Sequence, residues 1–281
     1  MRKMKMARTV LAIDGDIVAY QAAAAAEQPI YWGEGLWTMH AWEQDVERHI
    51  DDFVAGLKES AETDEVITAL SDTANFRKTV AHYYKAHRAS NRKPMLLNFA
   101  KEYIRAKHNG VVWENLEADD VLGILGSSSD EYLIWSIDKD LKTVRGRHLI
   151  DGEEVTINES EADYWFFYQT LVGDSTDNYP GCPTVGPKTA EKLLAKDPSW
   201  DTVVAAFAKQ GLSEEVALEQ ARLARILRDG EYDNSTGDVK LWEPNASMKQ
   251  PQESGTKPPK ASTPAKSGIR SKSRSTTTKA V

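Results

Sequence analysis

Three short β-rich apolar runs in this chain each end in a carboxylate, and helical patterns lie between them. Thr9 to Ile13 ends at Asp14, Glu65 to Leu70 at Ser71-Asp72, and Tyr132 to Ile137 at Asp138. Runs of this length and composition predict buried strands. Between them, Ile17 to Glu27 is alanine-rich and suits a helix. Trp42, Val46, Ile50, Phe53 and Leu57 fall at helical spacing, with the aromatic positions expected in the core. Another helix is expected from near Leu116, burying Val121, Leu122, Ile124 and Leu125. Strands alternating with helices predict an α/β fold, a mostly parallel central sheet with helices on both faces. Ligands of such sheets bind beyond the carboxyl ends of the strands, which is where Asp14, Asp72 and Asp138 fall.

The rest of the chain reads differently. Tyr31 to Thr38, with Gly33-Glu34-Gly35 at its centre, predicts a small hairpin. Helices are expected over Glu161 to Val172, Lys188 to Ala195, Trp200 to Lys209 and Glu214 to Arg228. From about Asn245 the chain is Lys, Ser, Thr, Pro and Gly with almost no large apolar residue, a composition that predicts disorder. The expected organisation is an α/β domain over 1–160, a helical subdomain over 161–244 and a basic tail over 245–281.

A formal charge of −8 argues against a nucleic-acid partner only as an average. From Ala246 onward eight Lys or Arg face the single Glu253, so the tail is about +7 and the remainder about −15; charge is better read locally. Cys182 is the only cysteine, which excludes an internal disulfide and suits a reducing cytoplasm. No apolar run approaches the roughly 18 to 20 residues of a membrane span. The expectation is a soluble intracellular protein, monomeric and without an obligate protein partner.

The carboxylates recur in groups: Asp14, Asp72, Glu117-Ala118-Asp119-Asp120, Asp138-Lys139-Asp140, and Asp174 with Asp177. Each group alone could be a turn, an N-cap or a favourable end of a helix dipole. Together at one sheet edge they would repel one another unless cations sat between them. Glu117 and Asp120, three apart on a helix, share a face, and Asp138 and Asp140, two apart in extended chain, point the same way. Oxygen ligands without His or Cys select hard cations such as Mg²⁺ or Mn²⁺, and two such ions suit phosphodiester hydrolysis.

Two further features favour a nucleic acid. Gly181-Cys182-Pro183-Thr184-Val185-Gly186-Pro187-Lys188-Thr189-Ala190 reads as a glycine hairpin opening a helix. Gly186 is expected to permit positive φ and backbone approach to a phosphate, with Lys188 and the helix N-terminus adding positive potential. Between Arg77 and Lys107 there are nine Lys or Arg against Glu102, interleaved with Phe76, Tyr83, Tyr84, Phe99 and Tyr103. Cations for phosphates and rings for bases suit single-stranded nucleic acid, though a solvated basic face with core aromatics would read the same way.

These residues resemble the 5′-nucleases related to flap endonucleases and to the 5′-nuclease domain of bacterial DNA polymerase I, and most of all the compact 5′→3′ exonucleases of tailed phages. The resemblance runs in order from Thr9 to Leu227. Its motifs are Ile13-Asp14-Gly15, Ser71-Asp72 with Phe76-Arg77 and Tyr83-Tyr84-Lys85-Ala86-His87-Arg88, Leu116-Glu117-Ala118-Asp119-Asp120, Ile137-Asp138-Lys139-Asp140-Leu141, and Gly173-Asp174-Ser175-Thr176-Asp177-Asn178. Gly181 to Leu194 is similar to that family's helix–three-turn–helix. Tyr31 to Trp42 and the tail have no counterpart, and Asp16 could replace or assist Asp14.

The resemblance implies a PIN-like fold with a helical arch over about 73–108 and a helix–three-turn–helix over about 161–195. It implies Asp14, Asp72, Glu117, Asp119 and Asp120 at a first metal and Asp138, Asp140, Asp174 and Asp177 at a second. Lys85, Arg88 and, less directly, Arg77 would approach the scissile phosphate. Tyr83, Tyr84, Gly181, Thr184, Val185, Gly186, Lys188 and Thr189 would contact DNA, and hairpin carbonyls at Thr184 and Val185 would offer a K⁺ site. The implied activity is 5′→3′ hydrolysis of duplex DNA, with flap and RNase H-like action on 5′ flaps and RNA–DNA hybrids in phage replication or recombination. Rival readings are a PIN-like ribonuclease, which lacks the hairpin, and a non-catalytic DNA-binding replication factor, which would gain nothing from so many repelling acids.

Overall fold

The computed structural model describes residues 8–244, so the basic tail expected over 245–281 lies outside the described residues. The chain begins with β1 (Val10–Asp14) and α1 (Gly15–Ala25), then the hairpin β2 (Gln28–Gly33) and β3 (Leu36–His40), and α2 (Glu43–Ser60). Next come β4 (Val66–Leu70), the single turn α3 (Arg77–Val80), α4 (Leu97–Lys107), β5 (Gly110–Val112), α5 (Ala118–Ser128) and β6 (Tyr132–Trp135). An edge pair, β7 (Gly146–Ile150) and β8 (Glu153–Ile157), precedes α6 (Glu159–Val172), α7 (Pro187–Leu194), α8 (Trp200–Ala208) and α9 (Glu214–Ala224).

The central sheet has six strands in the order β5-β4-β1-β6-β7-β8. All neighbours are parallel except β7 with β8. Every residue of β1 is buried, as befits a strand covered on both faces. Because β1 and β6 lie side by side and α5 leads into β6, the ends of three chain segments meet at one sheet edge. The later helices share a separate core, with Phe166, Phe167, Trp200 and Phe207 at its centre. No helix among the described residues is long and apolar enough to cross a membrane.

Some expectations need correction. Trp42 is 56% exposed at the start of α2, outside the core assigned to it by spacing. Residues 73–108 form no continuous helical arch: α3 has four residues, Ala86–Ser90 is a 3₁₀ turn, and only α4 is a full helix, packed on α1. Strand β5 is three residues long, too short for its pattern to register. The β7–β8 hairpin turns at Asp151 (φ 51°) and Gly152 (φ 82°), an Asp-Gly pair whose positive φ values mark a tight turn. Helix α9 stops at Ala224 rather than Arg228, because Arg77 takes the carbonyls of Leu223 and Arg225 and Asp120 takes the Leu227 N–H.

Candidate active site

Asp14, Glu117, Asp119, Asp138, Asp140 and Asp177 line a single cavity of about 350 Å³ at the carboxyl edge of the sheet. Local structure places each of them. Asp14 ends β1 and caps α1, its Oδ1 accepting from Ile17 N–H at 3.2 Å and its Oδ2 from Ser136 Oγ–H at 2.9 Å. Glu117 and Asp119 stand at the first turn of α5, brought there by a capping box between Glu117 and Asp120. Asp138 follows β6 and accepts from the Asp140 N–H at 2.9 Å, which bends the chain into a 3₁₀ turn and brings Asp140 inward. Gln169 of α6 donates its Nε2–H to Asp140 Oδ1.

Three expected acids do not line the cavity. Asp72 spends one oxygen on Thr73 N–H (2.7 Å) and the other on Asn115 N–H (2.9 Å), and the Asn115 bond lowers its pKa. Asp16 takes a place in the wall instead, 2.7 Å from Lys101 Nζ. Asp174 folds back onto the Thr176 and Asp177 N–H groups, although its charge still raises the pKa of Asp140. Asp120 is wholly buried and pairs with Arg77 through two 2.7 Å hydrogen bonds. Arg77, 2% exposed, also donates to Glu117, Leu223 O and Arg225 O, so it has no group left for a phosphate. Its burial corrects the expected approach to substrate.

The basic residues that do reach the cavity are Lys85 and Arg88. Lys85 sits in the left-handed region at φ 53°, an uncommon conformation for a side chain of its size. Its Nζ lies 2.5 Å from Glu117 Oε1 and 3.4 Å from Asp177 Oδ2. Arg88 Nη2 is 2.5 Å from Asp177 Oδ1, and its Nε–H donates to Thr176 O at 2.9 Å. Tyr84 is 2% exposed with its hydroxyl 2.9 Å from Glu117 Oε2 and 2.8 Å from Asp177 Oδ2, so it is a floor of the cavity and cannot stack on a base. Tyr83 is half-buried and donates to Glu219 Oε1 at 2.6 Å.

Charge is balanced on one side of the cavity only. Burial would raise the Glu117 carboxyl, but Lys85 and Arg77 outweigh it and hold the pKa at about 2. Asp14 is pushed up to about 7, first by burial and then by Asp16 and Asp138. Asp140 also rises to about 7, through burial, Asp138 and Asp174. Asp119 is raised well above the carboxylate range by burial and by Asp14 and Asp138, and its carboxylate accepts no hydrogen bond from a described residue.

Among the described residues no three of these acids stand in a ready-made ligand cage. Their chemistry nevertheless fits a hard divalent cation: all donors are carboxylate oxygens, several repel one another, and no described residue donates a hydrogen bond to Asp119.

The hairpin lies between α6 and α7. Gly181 (φ 65°) is buried against Gly173, and a Cβ there would come within 2.4 Å of Gly173 N, so this glycine serves folding. Gly186 has φ −88°, so the expected positive φ is absent; a Cβ there would meet nothing within 4 Å. Thr184 has φ 64°, and the Val185 side chain is buried. Gly186, Lys188 and Thr189 are exposed at the start of α7, which Pro187 opens. Gln169, missed in the sequence, shows as a buried polar position in an aromatic-rich helix.

Two family models match in tandem. The 5′-3′ exonuclease N-terminal resolvase-like domain matches residues 9–164, and the 5′-3′ exonuclease C-terminal SAM fold matches 161–247. The exonuclease of Escherichia phage T7 is 29% identical over 280 residues, covering 84% of this chain and 93% of that protein. The exodeoxyribonuclease of Enterobacteria phage T3 is 28% identical over 283 residues with the same coverage. A bacteriophage T5 flap endonuclease, solved as a pseudo-enzyme–product complex with DNA and metal ions, superposes with a TM-score of 0.59 at 14% identity, covering 77% of this chain and 89% of that one. That last likeness speaks for the fold.

Proposed function

The chain belongs to the 5′-3′ exonuclease family, and we propose on that premise that its acidic cavity hydrolyses duplex DNA from the 5′ end with two Mg²⁺ or Mn²⁺ ions. The protein is a nuclease; direction, substrate and metal are the proposal. One observation carries it: seven carboxylates from four chain segments share one cavity with Lys85 and Arg88.

Asp14, Glu117 and Asp119 would hold one ion and Asp138, Asp140 and Asp177 the other, with Asp174 behind them. Bound there, the ions would activate a water and offset charge on the attacking and leaving oxygens. The chain's own residues do the rest. Lys85 now pairs with Glu117 and, together with Arg88, with Asp177, and an entering phosphodiester offers the same cations a competing anion. Arg88 presents a planar fork suited to phosphate and Lys85 a point charge. Burial of Lys85 strengthens its action on charge that develops in the transition state.

The exposed stretch from Gly186 to Thr189 would hold the duplex away from the cavity, with Lys188 and the start of α7 facing phosphates. Residues 161–244 are the proposed duplex-binding subdomain on the α/β domain of 1–160. A K⁺ at the Thr184 and Val185 carbonyls, cleavage of 5′ flaps and RNA–DNA hybrids, monomeric action and work in a host cytoplasm extend the same reading. The phage origin of the T7 and T3 relatives supports the last of these.

The test is a duplex labelled at either 5′ or 3′ ends, incubated with Mg²⁺ or EDTA and sized over time. Early release of short 5′-labelled products only in Mg²⁺ is expected. Early loss of the 3′ label, or equal cleavage in EDTA, would overturn the reading.

A further inference from the structure

Glu117 is gripped twice by residues that do not line the cavity. Arg77 Nη1–H reaches its Oε2 at 3.3 Å, and Asp120 Oδ2 accepts from its backbone N–H at 3.2 Å. Arg77 and Asp120 are themselves joined by two hydrogen bonds of 2.7 Å. Three chain segments meet at this pair. Arg77 comes from α3, Asp120 from α5, and the end of α9 with the stretch that follows it supplies Leu223 O at 3.1 Å, Arg225 O at 2.5 Å and Leu227 N–H at 3.1 Å. That segment also brings Leu223, Ala224 and Ile226 into the cavity wall.

Folding stability is a poor account of such a pair. Burying two charges costs more than apolar packing of the same volume, and well-packed apolar replacements are often as stable or more so. What the pair supplies and apolar side chains could not is direction: one partner fixes the backbone of Glu117 and the other its carboxylate. Lys85 and Tyr84, which both bind Glu117, are set in turn.

We propose that Arg77 and Asp120 are positioning residues, a buried ion pair that fixes Glu117 and the Lys85–Tyr84 wall of the cavity for the reaction. The proposal rests on the reading of Glu117 as a residue of the reacting site. Groups supporting a site residue from behind typically cost about 10- to 100-fold in metal affinity or activity when removed.

The experiment compares the full-length Arg77→Met/Asp120→Leu double variant, Arg77→Lys and Glu117→Gln with the parent. The apolar double variant should keep its Tm within a few degrees and its duplex Kd within a few-fold. Its single-turnover rate at saturating duplex should fall by about 10- to 100-fold, and Mn²⁺ affinity measured by calorimetry without DNA should fall about tenfold. Arg77→Lys should recover part of neither loss or only a minor part, because an ammonium cannot serve two carboxylates and two carbonyls at once. A folded double variant with parental rate and Mn²⁺ affinity overturns the proposal. Should the double variant not fold, parental rate and affinity in Arg77→Lys overturn it equally. Glu117→Gln separates the two readings: full activity there removes Glu117 from the site, whereas an inactive Glu117→Gln beside a fully active double variant removes only the positioning role.

Discussion

On one side of the cavity Asp14 and Asp140 have pKa values near 7 and that of Asp119 is also raised, while on the other Glu117 is held at about 2. All are carboxylates in one wall of one fold. The difference lies in the company each keeps: Glu117 and Asp177 have Lys85, Arg88 and the Tyr84 hydroxyl, whereas Asp14, Asp119 and Asp140 have mainly other acids. The paired side carries its own cations and the acid-only side has a charge that added cations can relieve. The proposed two-ion hydrolysis needs both, one surface to take ions and one to steer a phosphate.

The largest effect should come from stripping the acid-only side. Asp138→Ala with Asp140→Ala is expected to lower cleavage by about 10³-fold or more while duplex binding stays within a few-fold, since ion-borne charge stabilisation is worth several kcal/mol. Near-parental turnover in Mg²⁺ would erase the distinction between the two sides.

Removing the cations of the paired side should cost less. Lys85→Ala or Arg88→Ala is expected to lower the single-turnover rate by about 10²-fold at saturating DNA, with a smaller effect on Kd. Arg88→Lys should keep binding and lose part of the rate. Loss confined to Kd would mean that both residues only attract the backbone.

The two sides should also respond oppositely to pH in the metal-free protein. Groups with raised pKa bind more protons when folded, so the stability contributed by Asp14 and Asp140 is full below about 4 and is lost as pH rises through about 7. The Glu117 contribution is present above its usual range and is lost only as pH falls through about 2. Thermal melts should therefore show Tm declining from pH 5 to 8 in EDTA, with Mg²⁺ restoring more at pH 8 than at pH 5. A rising Tm over that window, unchanged in Asp14→Asn and Asp140→Asn, would contradict the assignment.

The smallest effect is expected at the hairpin. Gly186→Val should leave Tm unchanged, because the Cβ position is open, and weaken duplex binding a few-fold by blocking backbone approach. Gly181→Ala should instead lower Tm, since its Cβ would strike Gly173. Equal behaviour of the two variants would make the whole hairpin structural.

Much of this was legible in the sequence because it is local. Asp14 and Asp138 announce themselves as acids ending apolar runs, and Glu117 with Asp119 as acids opening a helix. What escaped depends on distance in the chain. Arg77 and Asp120 read as a phosphate contact and a metal ligand, yet they meet across 43 residues and cancel. Asp72 reads as a site acid until Asn115 claims its carboxylate. Tyr84 reads as a stacking ring because its burial comes from the later helices, whose packing no local pattern encodes. Local pattern found the carboxylates; only tertiary contact decided which of them face the cavity.

Asp119 tests the central claim most directly, because it lines the cavity and accepts no hydrogen bond from a described residue. Calorimetric titration of Mn²⁺ into the metal-free protein at pH 8 should show two bound ions in the parent and the loss of one in Asp119→Asn, at a Tm no lower than the parent's. Parental Mn²⁺ affinity in Asp119→Asn would contradict the account.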